Sequence, residues 1–395
     1  MDLTKRINRI VAACKQWNSE YNVFNPSEIA TREKSSRGIR ALIKVAIGFL
    51  VFPPARAPRR IILFQGLREE HVFSLFPREN VYISGSWIER EYSRSQGYGF
   101  IPTFPIDNSV RLAVFQGLLN PAKMHLRRWQ RWIENRDVTV FLYEDTQAIG
   151  AFLSMLVDQN NPSYRAICLQ HGHFSFSTYP LRLEGHITEY NMVFDIEQAK
   201  MISAFPKKTA VKGLSYTATA KFPWDGQLRV IFVGAGHVAY YKDTIQIFNN
   251  IAINLRNEFK DVYIAYRPHP NEFNESQKIS EVKCLFGCIN TTPKIDLLNG
   301  PWTLFIGEIS SLLYEAKQSG HLTATVPIDP KNIALEYPDI TISPDDIGVF
   351  FDNLRGALAK PPPLALNRAA DGDPILRFIS AIEKLGLEFV IKQHE

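Results

Sequence analysis

Short, continuously apolar runs alternate with segments of helical spacing along most of the chain. In the first half the runs are "RIILFQG" (60–66), "NVYISGS" (80–86), "DVTVFLYED" (137–145) and "RAICLQHGH" (165–173). Between the last three lie "VRLAVFQGLLNPAKMHLRRWQRWIEN" and "TQAIGAFLSMLVDQ", whose apolar residues recur at helical spacing. Continuous apolar strands that alternate with helices predict a parallel α/β sheet.

The same cycle restarts in the second half at "QLRVIFVGAGH" (227–237). Further strands are predicted at "DVYIAYRPHP", near "VKCLFGCI" (282–289), at "WTLFIGEIS" and at "LTATVPI", with helices at "KDTIQIFNNIAINLRNEF" and "SLLYEAKQSG". The segment "DPILRFISAIEKLGLEFVI" is amphipathic and predicts a closing helix. The predicted fold class is therefore α/β, with two Rossmann-like domains facing a cleft and a C-terminal crossing helix.

The predicted boundaries follow the changes of pattern. Residues 1–59 form a basic, helical N-terminal region that is either part of the first domain or proximal to a membrane. The first Rossmann-like domain covers 60–210 and the second covers 225–360. A Pro-rich linker and helix over 361–395 are expected to pack back on the first domain.

Composition and charge give a globular protein with an uneven charge distribution. Of 395 residues, 45% are hydrophobic and 22% are charged, and the net charge is +5. The first sixty residues hold twelve lysines and arginines against four acidic residues, so the basic excess lies at the N-terminus. The four cysteines do not form a zinc pattern or a disulfide framework, which favours free thiols in a reducing cytoplasm.

The N-terminal region raises the question of membrane contact. "MDLTKRINRIVAACKQW" lacks the apolar core and cleavage site of a signal peptide. The apolar stretch at 39–54 is interrupted by cations, and its longest run is too short to span a bilayer. It is either a buried element of the first domain or an interfacial helix on an anionic membrane surface. We expect a cytoplasmic protein and leave peripheral attachment to the inner membrane face open.

The strand ends of the second domain carry residues suited to phosphate. In "YRPHPNE", prolines flank His269 directly after a predicted strand, and Arg267 offers a planar guanidinium. In "GEISSLLYEA", a helix starts at a serine pair, where free backbone N–H groups and the helix dipole attract anions. We predict a nucleotide and phosphate site from these patterns and from the glycines of "FVGAGH". Its residues are Gly234, Gly236, Arg267, His269, Pro270, Ser310, Ser311 and Glu315, of which Glu315 would hold ribose hydroxyls.

The strand ends of the first domain carry carboxylates and histidines. "FLYED" places Glu144 and Asp145 where an acid could take a proton from an attacking hydroxyl; Asp145 is preferred, and helix capping is its alternative role. "LQHGHFS" suggests acceptor binding by Gln170, His171, Gly172 and His173, and a third metal ligand is not evident. "HLRRWQRW" has the spacing of a solvated helix face, so we predict no nucleic-acid partner.

These motifs together resemble the GT-B glycosyltransferases of bacterial surface polysaccharides. The resemblance covers residues 140–320 and is greatest to the sialyltransferase, polysialyltransferase and Kdo-type group that uses CMP-activated sugars. It implies that Glu144 or Asp145 is the base, and that His269, Pro270, Ser310 and Ser311 hold the CMP phosphate without a metal or other cofactor. The first domain would then bind the acceptor and the second the nucleotide sugar. Thr146 departs from the glycine that often follows the two acids, which bears on the choice of base.

Three other readings remain open at this point. "RPHP" and the serine pair also resemble CDP-glycerol-type glycerophosphotransferases, in which His171 of the "HG" turn would be the base. A non-catalytic nucleotide-sugar-binding assembly protein would keep the phosphate site without a working base. A sugar epimerase of the same shape would act on a UDP-sugar without an acceptor. The expected partners are a nucleotide-activated sugar and a glycan acceptor, which would be lipid-linked if the chain associates with a membrane.

Overall fold

The computed structural model of the protein describes most of the chain, with gaps. The described residues are 3–20, 43, 45–47, 57–67, 70–143, 148–156, 163–170, 188–194, 196–214, 226–234, 241–269, 276–308, 310–326, 339–343, 346–359 and 374–387. The chain divides into two compact units. The first comprises Met1–His171, Arg182–Ser215 and Pro374–Glu395, and the second comprises Gly172–Leu181 and Tyr216–Asp373.

The first unit is built on a seven-stranded, entirely parallel sheet. Its strands are β1 (Arg60–Gln65), β2 (Val81–Gly85), β3 (Gly99–Pro102), β4 (Asp137–Leu142), β5 (Tyr164–Leu169), β6 (Tyr190–Val193) and β7 (Thr209–Lys212). Their spatial order is β3-β2-β1-β4-β5-β6-β7. The order reverses between β1 and β4, as in doubly wound α/β folds.

Helices cover both faces of this sheet. They are α1 (Leu3–Glu20), α2 (Trp87–Gln96), α3 (Phe104–Gln116), α4 (Leu119–Ile133), α5 (Ala148–Ser154), α6 (Ile196–Ser203) and α12 (Pro374–Lys384), with 3-10 turns at Glu70–Leu75 and Arg78–Asn80. One apolar cluster joins α1, α3, α4 and α5 to one face of the sheet. A second cluster joins Phe378 and Ile382 of α12 to Ile62 and Phe64 on the opposite face. Strands buried on both sides explain the continuous apolar runs.

The second unit is built on a smaller parallel sheet. Its strands are β8 (Arg229–Val233), β9 (Tyr263–Arg267), β10 (Leu304–Gly307), β11 (Leu322–Thr325) and β12 (Ile340–Thr341), in the order β12-β11-β10-β8-β9. Its helices are α7 (Tyr241–Glu258), α8 (Ser276–Phe286), α9 (Lys294–Leu298), α10 (Ser311–Gln318) and α11 (Ile347–Ala359). Apolar clusters lie on both faces of this sheet as well. The predicted pair of parallel α/β sheets with a closing helix is confirmed.

Three details differ from the sequence prediction. The strand predicted near 282–289 is wrong: α8 continues to Phe286, Gly287 ends it at φ 77°, and Ile289 makes only an isolated bridge to Tyr266. The single long helical pattern after residue 109 is divided by Gly117, whose φ is 68°, into α3 and α4. Four strands were not predicted, namely β3, β6, β7 and β12, each of which has four residues or fewer.

Candidate functional site

Three strands of the second sheet end at the same level. β8 lies between β9 and β10, and the register pairs Val233 with Arg267 on one side and with Gly307 on the other. Consecutive strands β8 and β9 are neighbours, whereas β10 pairs with the other side of β8 and β11 follows on that side, so the strand order reverses between β8 and β10. Ligands of open α/β sheets bind at such a switch point, beyond the carboxyl ends of the strands.

Gly234 and Arg267 join two of these strand ends. The Gly234 N–H donates to the carbonyl of Arg267 at 2.9 Å, directly after β8. The Arg267 guanidinium donates through Nη1 to Asn290 Oδ1 at 2.8 Å and to the Thr292 carbonyl at 2.7 Å. Arg267 therefore holds the 290–292 loop at this edge in addition to the anion-binding role predicted for it.

The electrostatics of Arg267 and His269 follow from their partial burial. Burial lowers the pKa of Arg267 and the nearby carboxylate of Glu315 opposes that shift, so the guanidinium stays charged at neutral pH. Burial also lowers the pKa of His269 below its ordinary value, which makes the imidazole neutral at pH 7. A neutral ring still donates one N–H, and an arriving anion would favour its protonation.

The serine pair begins a helix, as predicted. Ser310 is the N-cap of α10, with φ −155° and ψ 136°, and its Oγ accepts a hydrogen bond from the Leu312 N–H at 3.2 Å. Ser311 is the first helical residue. A Cβ built on Gly307 would lie 3.1 Å from Leu313 Cδ1, a tight contact, so glycine favours the close packing of α10 on the end of β10. The positive end of α10 is thereby placed at the strand edge.

Two buried carboxylates belong to the same region. Glu315 lies one turn into α10, is 4% exposed, and pairs with Lys294 at the start of α9 with an Nζ–Oε2 distance of 2.8 Å. Glu308 directly follows β10, is also 4% exposed, and its backbone carbonyl accepts from Thr325 Oγ1 at 2.9 Å. Neither Lys294 nor Asn290 was predicted as a site residue. Only the position of Lys294 after "TTP", at a helix start, offered a signal.

At the described strand ends of the first sheet, side-chain amides of glutamine form hydrogen bonds with the backbone of a neighbouring strand end. Gln170 Oε1 accepts from the Phe194 N–H at 3.1 Å and thereby ties the end of β5 to the end of β6. Gln65 Oε1 accepts from the Tyr143 N–H at 3.0 Å and ties β1 to β4 in the same way. The acceptor-binding role of Gln170 stays a prediction, to which the structure adds this structural role.

Several predicted site residues lie outside the described residues. They are Glu144, Asp145, His171, Gly172, His173, Gly236 and Pro270. β4 and β5, after which the predicted bases follow in the sequence, are neighbours in the sheet. Within the described part of the chain, no group of three or more His, Cys, Asp and Glu residues is arranged to hold a metal ion. No helix in that part is long and apolar enough to cross a membrane.

The comparisons with known proteins support the fold. No protein-family model and no curated protein sequence matches the chain. A solved structure of a candidate UDP-N-acetylglucosamine 2-epimerase from Listeria monocytogenes has a TM-score of 0.55 at 13% identity, covering 84% of this chain and 98% of that one. The S. aureus MnaA–UDP complex has a TM-score of 0.52 at 11% identity, covering 84% and 98%. The Neisseria meningitidis UDP-GlcNAc 2-epimerase bound to UDP-GlcNAc has a TM-score of 0.51 at 10% identity, covering 83% and 98%.

These similarities reach across nearly the whole of each neighbour. Identities of this size establish a shared fold and no more. The predicted fold class, two Rossmann-like α/β domains of the GT-B type, is therefore confirmed. None of these three neighbours is described by a CMP-sugar. The narrower resemblance to the CMP-sugar group therefore remains a prediction.

Proposed function

We propose that the chain is a glycosyltransferase that binds a nucleotide-activated sugar at the carboxyl edge of its second sheet. The proposal rests on the observation that β8, β9 and β10 end at the same level of the sheet. It brings Gly234, the Arg267–His269 segment and the start of α10 to one switch point. Backbone N–H groups, a helix dipole and a guanidinium at one edge suit a phosphate group.

The donor that we propose is a CMP-activated nonulosonic acid, such as sialic acid, or Kdo. In support, "RPHP" and the serine pair of this edge match the motifs of the CMP-sugar group in order and type. The acceptor would be a glycan of the capsule or lipopolysaccharide. A lipid-linked acceptor would also account for a cytoplasmic enzyme attached peripherally to the inner membrane face.

The proposed reaction is a single displacement at the anomeric carbon. The acceptor hydroxyl oxygen forms the new bond to this carbon while the bond to the phosphate oxygen of CMP breaks. Asp145 takes the hydroxyl proton, with Glu144 and His171 as the other candidate bases. The leaving phosphate gains negative charge, which His269 and the N-terminus of α10 stabilise and Arg267 supplements. No metal is required by this scheme.

A sugar epimerase is the second candidate. Three structures with TM-scores above 0.5 are described as a UDP-N-acetylglucosamine 2-epimerase, a candidate for one, or a UDP complex. Such an enzyme would act on a UDP-sugar without an acceptor. The CDP-glycerol transferase and the non-catalytic binding protein would bind their nucleotide at the same edge of the second sheet. Turnover must therefore be measured, in addition to binding, to distinguish these two from the glycosyltransferase and the epimerase.

Ligand binding to the full-length protein tests the donor. Melting temperature and titration calorimetry are measured with CMP, CDP, UDP and GDP, with and without EDTA, for the native chain, for His269→Ala and for His71→Ala. His71 is an exposed histidine of the first unit and is the matched control. We expect CMP to raise the melting temperature regardless of EDTA, and His269→Ala to abolish that rise, because a ligand stabilises the state that it binds.

The other outcomes decide between the alternatives. Stabilisation by UDP alone, with 2-epimer formed from UDP-GlcNAc, would establish the epimerase. Turnover of CDP-glycerol that depends on His171 would establish the glycerophosphotransferase. CMP-sugar binding without CMP release in the presence of any glycan acceptor would favour the non-catalytic protein. Equal nucleotide binding by His269→Ala and the native chain would refute the phosphate site.

A further inference from the structure

The outer side of α4 is a cationic helix face in the first unit. Its inner side is fixed by burial of Ala122, His125, Leu126, Trp129, Trp132 and Ile133. Lys123, Arg127 and Arg131 recur at every fourth position and therefore share the outward side. Arg127 and Arg131 are exposed and Lys123 is partly exposed. The fifteen residues of α4 include no aspartate or glutamate.

This face lies on an open surface of the unit. Asn120, Lys123, Met124, Arg127, Arg128 and Arg131, all residues of α4, line that surface. Among the described residues, Lys123, Arg127 and Arg131 form no ion pair with an acidic side chain. These cations are spread along two turns of an open helix surface, so they suit an extended partner that carries negative charge.

The neighbouring helix α1 adds to the positive charge. Arg6 Nη1 of α1 and Gln130 Nε2 of α4 donate to the same Leu156 carbonyl, at 2.7 and 2.9 Å, so the two helices lie side by side at this level. Lys5 and Arg9, which flank Arg6 on α1, are exposed. Lys5 and Arg9 of α1 and the cations of α4 thus belong to two adjacent helices of the first unit.

The apolar residues indicate which anionic partner this region fits. Trp129 and Trp132 are 1% and 6% exposed, so neither can stack on a nucleic-acid base. Met124, which lies among the cations, is 57% exposed, and Leu118 at the start of α4 is 44% exposed. An interfacial helix presents this combination, with apolar side chains entering the headgroup layer and cations reaching lipid phosphates.

We propose that the cationic face of α4, formed by Lys123, Arg127 and Arg131, docks the protein on an anionic phospholipid surface. Exposed Met124 enters the headgroup layer, and Lys5 of α1 extends the contact. The proposal does not depend on the reaction that the second unit performs. It assigns membrane contact to a helix that the sequence analysis interpreted as a solvated face.

The test is co-sedimentation of the full-length protein with vesicles. The vesicles are phosphatidylcholine alone or with roughly a third phosphatidylglycerol, at about 0.05 M and about 0.5 M salt. The native chain is compared with a variant carrying K123E, R127E and R131E. The matched control carries R94E, K260E and K283E, which reverse three exposed cations elsewhere and change the net charge equally.

We expect binding only to the anionic vesicles, at the lower salt. One cation near such a surface contributes about fivefold to partitioning, so the α4 variant should bind at least about 100-fold more weakly while the control retains binding. Circular dichroism and nucleotide binding verify that both variants fold. Absent binding by the native chain, binding to neutral vesicles, or equal loss in both variants would overturn the proposal. So would binding to a single-stranded oligonucleotide that exceeds vesicle binding and depends on the α4 cations.

Discussion

The carboxyl edges of the two sheets hold different kinds of polar side chain. At the first edge, Gln65 and Gln170 are uncharged and bind backbone N–H groups of neighbouring strand ends. At the second edge, Arg267, Glu308 and Glu315 are charged groups that are partly or almost fully buried. Amides that satisfy a neighbouring backbone group stabilise the fold at little cost, whereas burying charge costs free energy even when the charge is paired.

The difference distinguishes structural polar residues from candidates for binding. Joining two strands does not require a guanidinium near a buried carboxylate such as Glu315, since two glutamines achieve it in the first unit. Buried ionisable groups are frequent at functional sites, because ligand binding can repay the cost of burying them. The second edge is thus the better candidate for a ligand site among the described residues.

The test with the largest expected effect disrupts the hydrophobic core of each unit separately. Phe64 stacks on Phe141 with ring centroids 4.7 Å apart, and Phe232 packs against Phe248 and Phe286 at 5.1 Å. Phe64→Ala and Phe232→Ala should each lower the free energy of unfolding by about 3–5 kcal/mol. Urea unfolding with and without nucleotide measures both. We expect only Phe232→Ala to weaken nucleotide binding to the folded protein; equal weakening by Phe64→Ala would break the comparison.

Acid should affect the two units alike. His125 in the first unit has its pKa lowered to about 4 by burial and, secondarily, by Arg128. Burial likewise lowers the pKa of His321 in the second unit to about 4, and its hydrogen bond to the Leu298 carbonyl opposes the shift. Both rings are neutral in the folded protein at pH 7, whereas the unfolded chain takes up protons near pH 6.5.

Each histidine therefore contributes stability that is present above about pH 6.5 and is lost as the pH falls towards about 4. The loss is at most roughly 3 kcal/mol per histidine. His125→Gln and His321→Gln should each reduce the difference in unfolding free energy between pH 7 and pH 4.5. An unchanged pH dependence in both variants would show that these rings do not titrate as their burial implies.

The smallest test compares two helix caps. Ser310 caps α10 at the second edge, and Ser86 precedes α2 at the first, where its N–H donates to Glu89 Oε2 at 2.7 Å. Ser310→Ala and Ser86→Ala should each cost about 1 kcal/mol of stability. Only Ser310→Ala should also weaken nucleotide binding several-fold, as measured by calorimetry. A similar loss of affinity with Ser86→Ala would show that the effect is one of general stability.

The amino-acid sequence by itself determined the fold class and the residues that end the strands. Strand and helix periods, and the glycines and prolines that interrupt them, are local properties, so they can be recognised without a partner. Arg267, His269 and Ser310 were identified in this way. In the structure Arg267 is the last residue of β9, His269 follows that strand, and Ser310 follows β10. The edge strand β3 was not recognised, because it contains both Gly99 and Pro102, which weaken the pattern of a strand.

Only the tertiary structure decided which of these positions meet. The pairing of β10 with β8, the ion pair of Lys294 with Glu315 and the contact of Arg267 with the 290–292 loop join residues that are distant in the chain. Burial also decided the two sides of α4, enclosing its tryptophans and leaving its cations at the surface. Such choices depend on the free energies of alternative packings of the whole unit, which no local segment of the sequence contains.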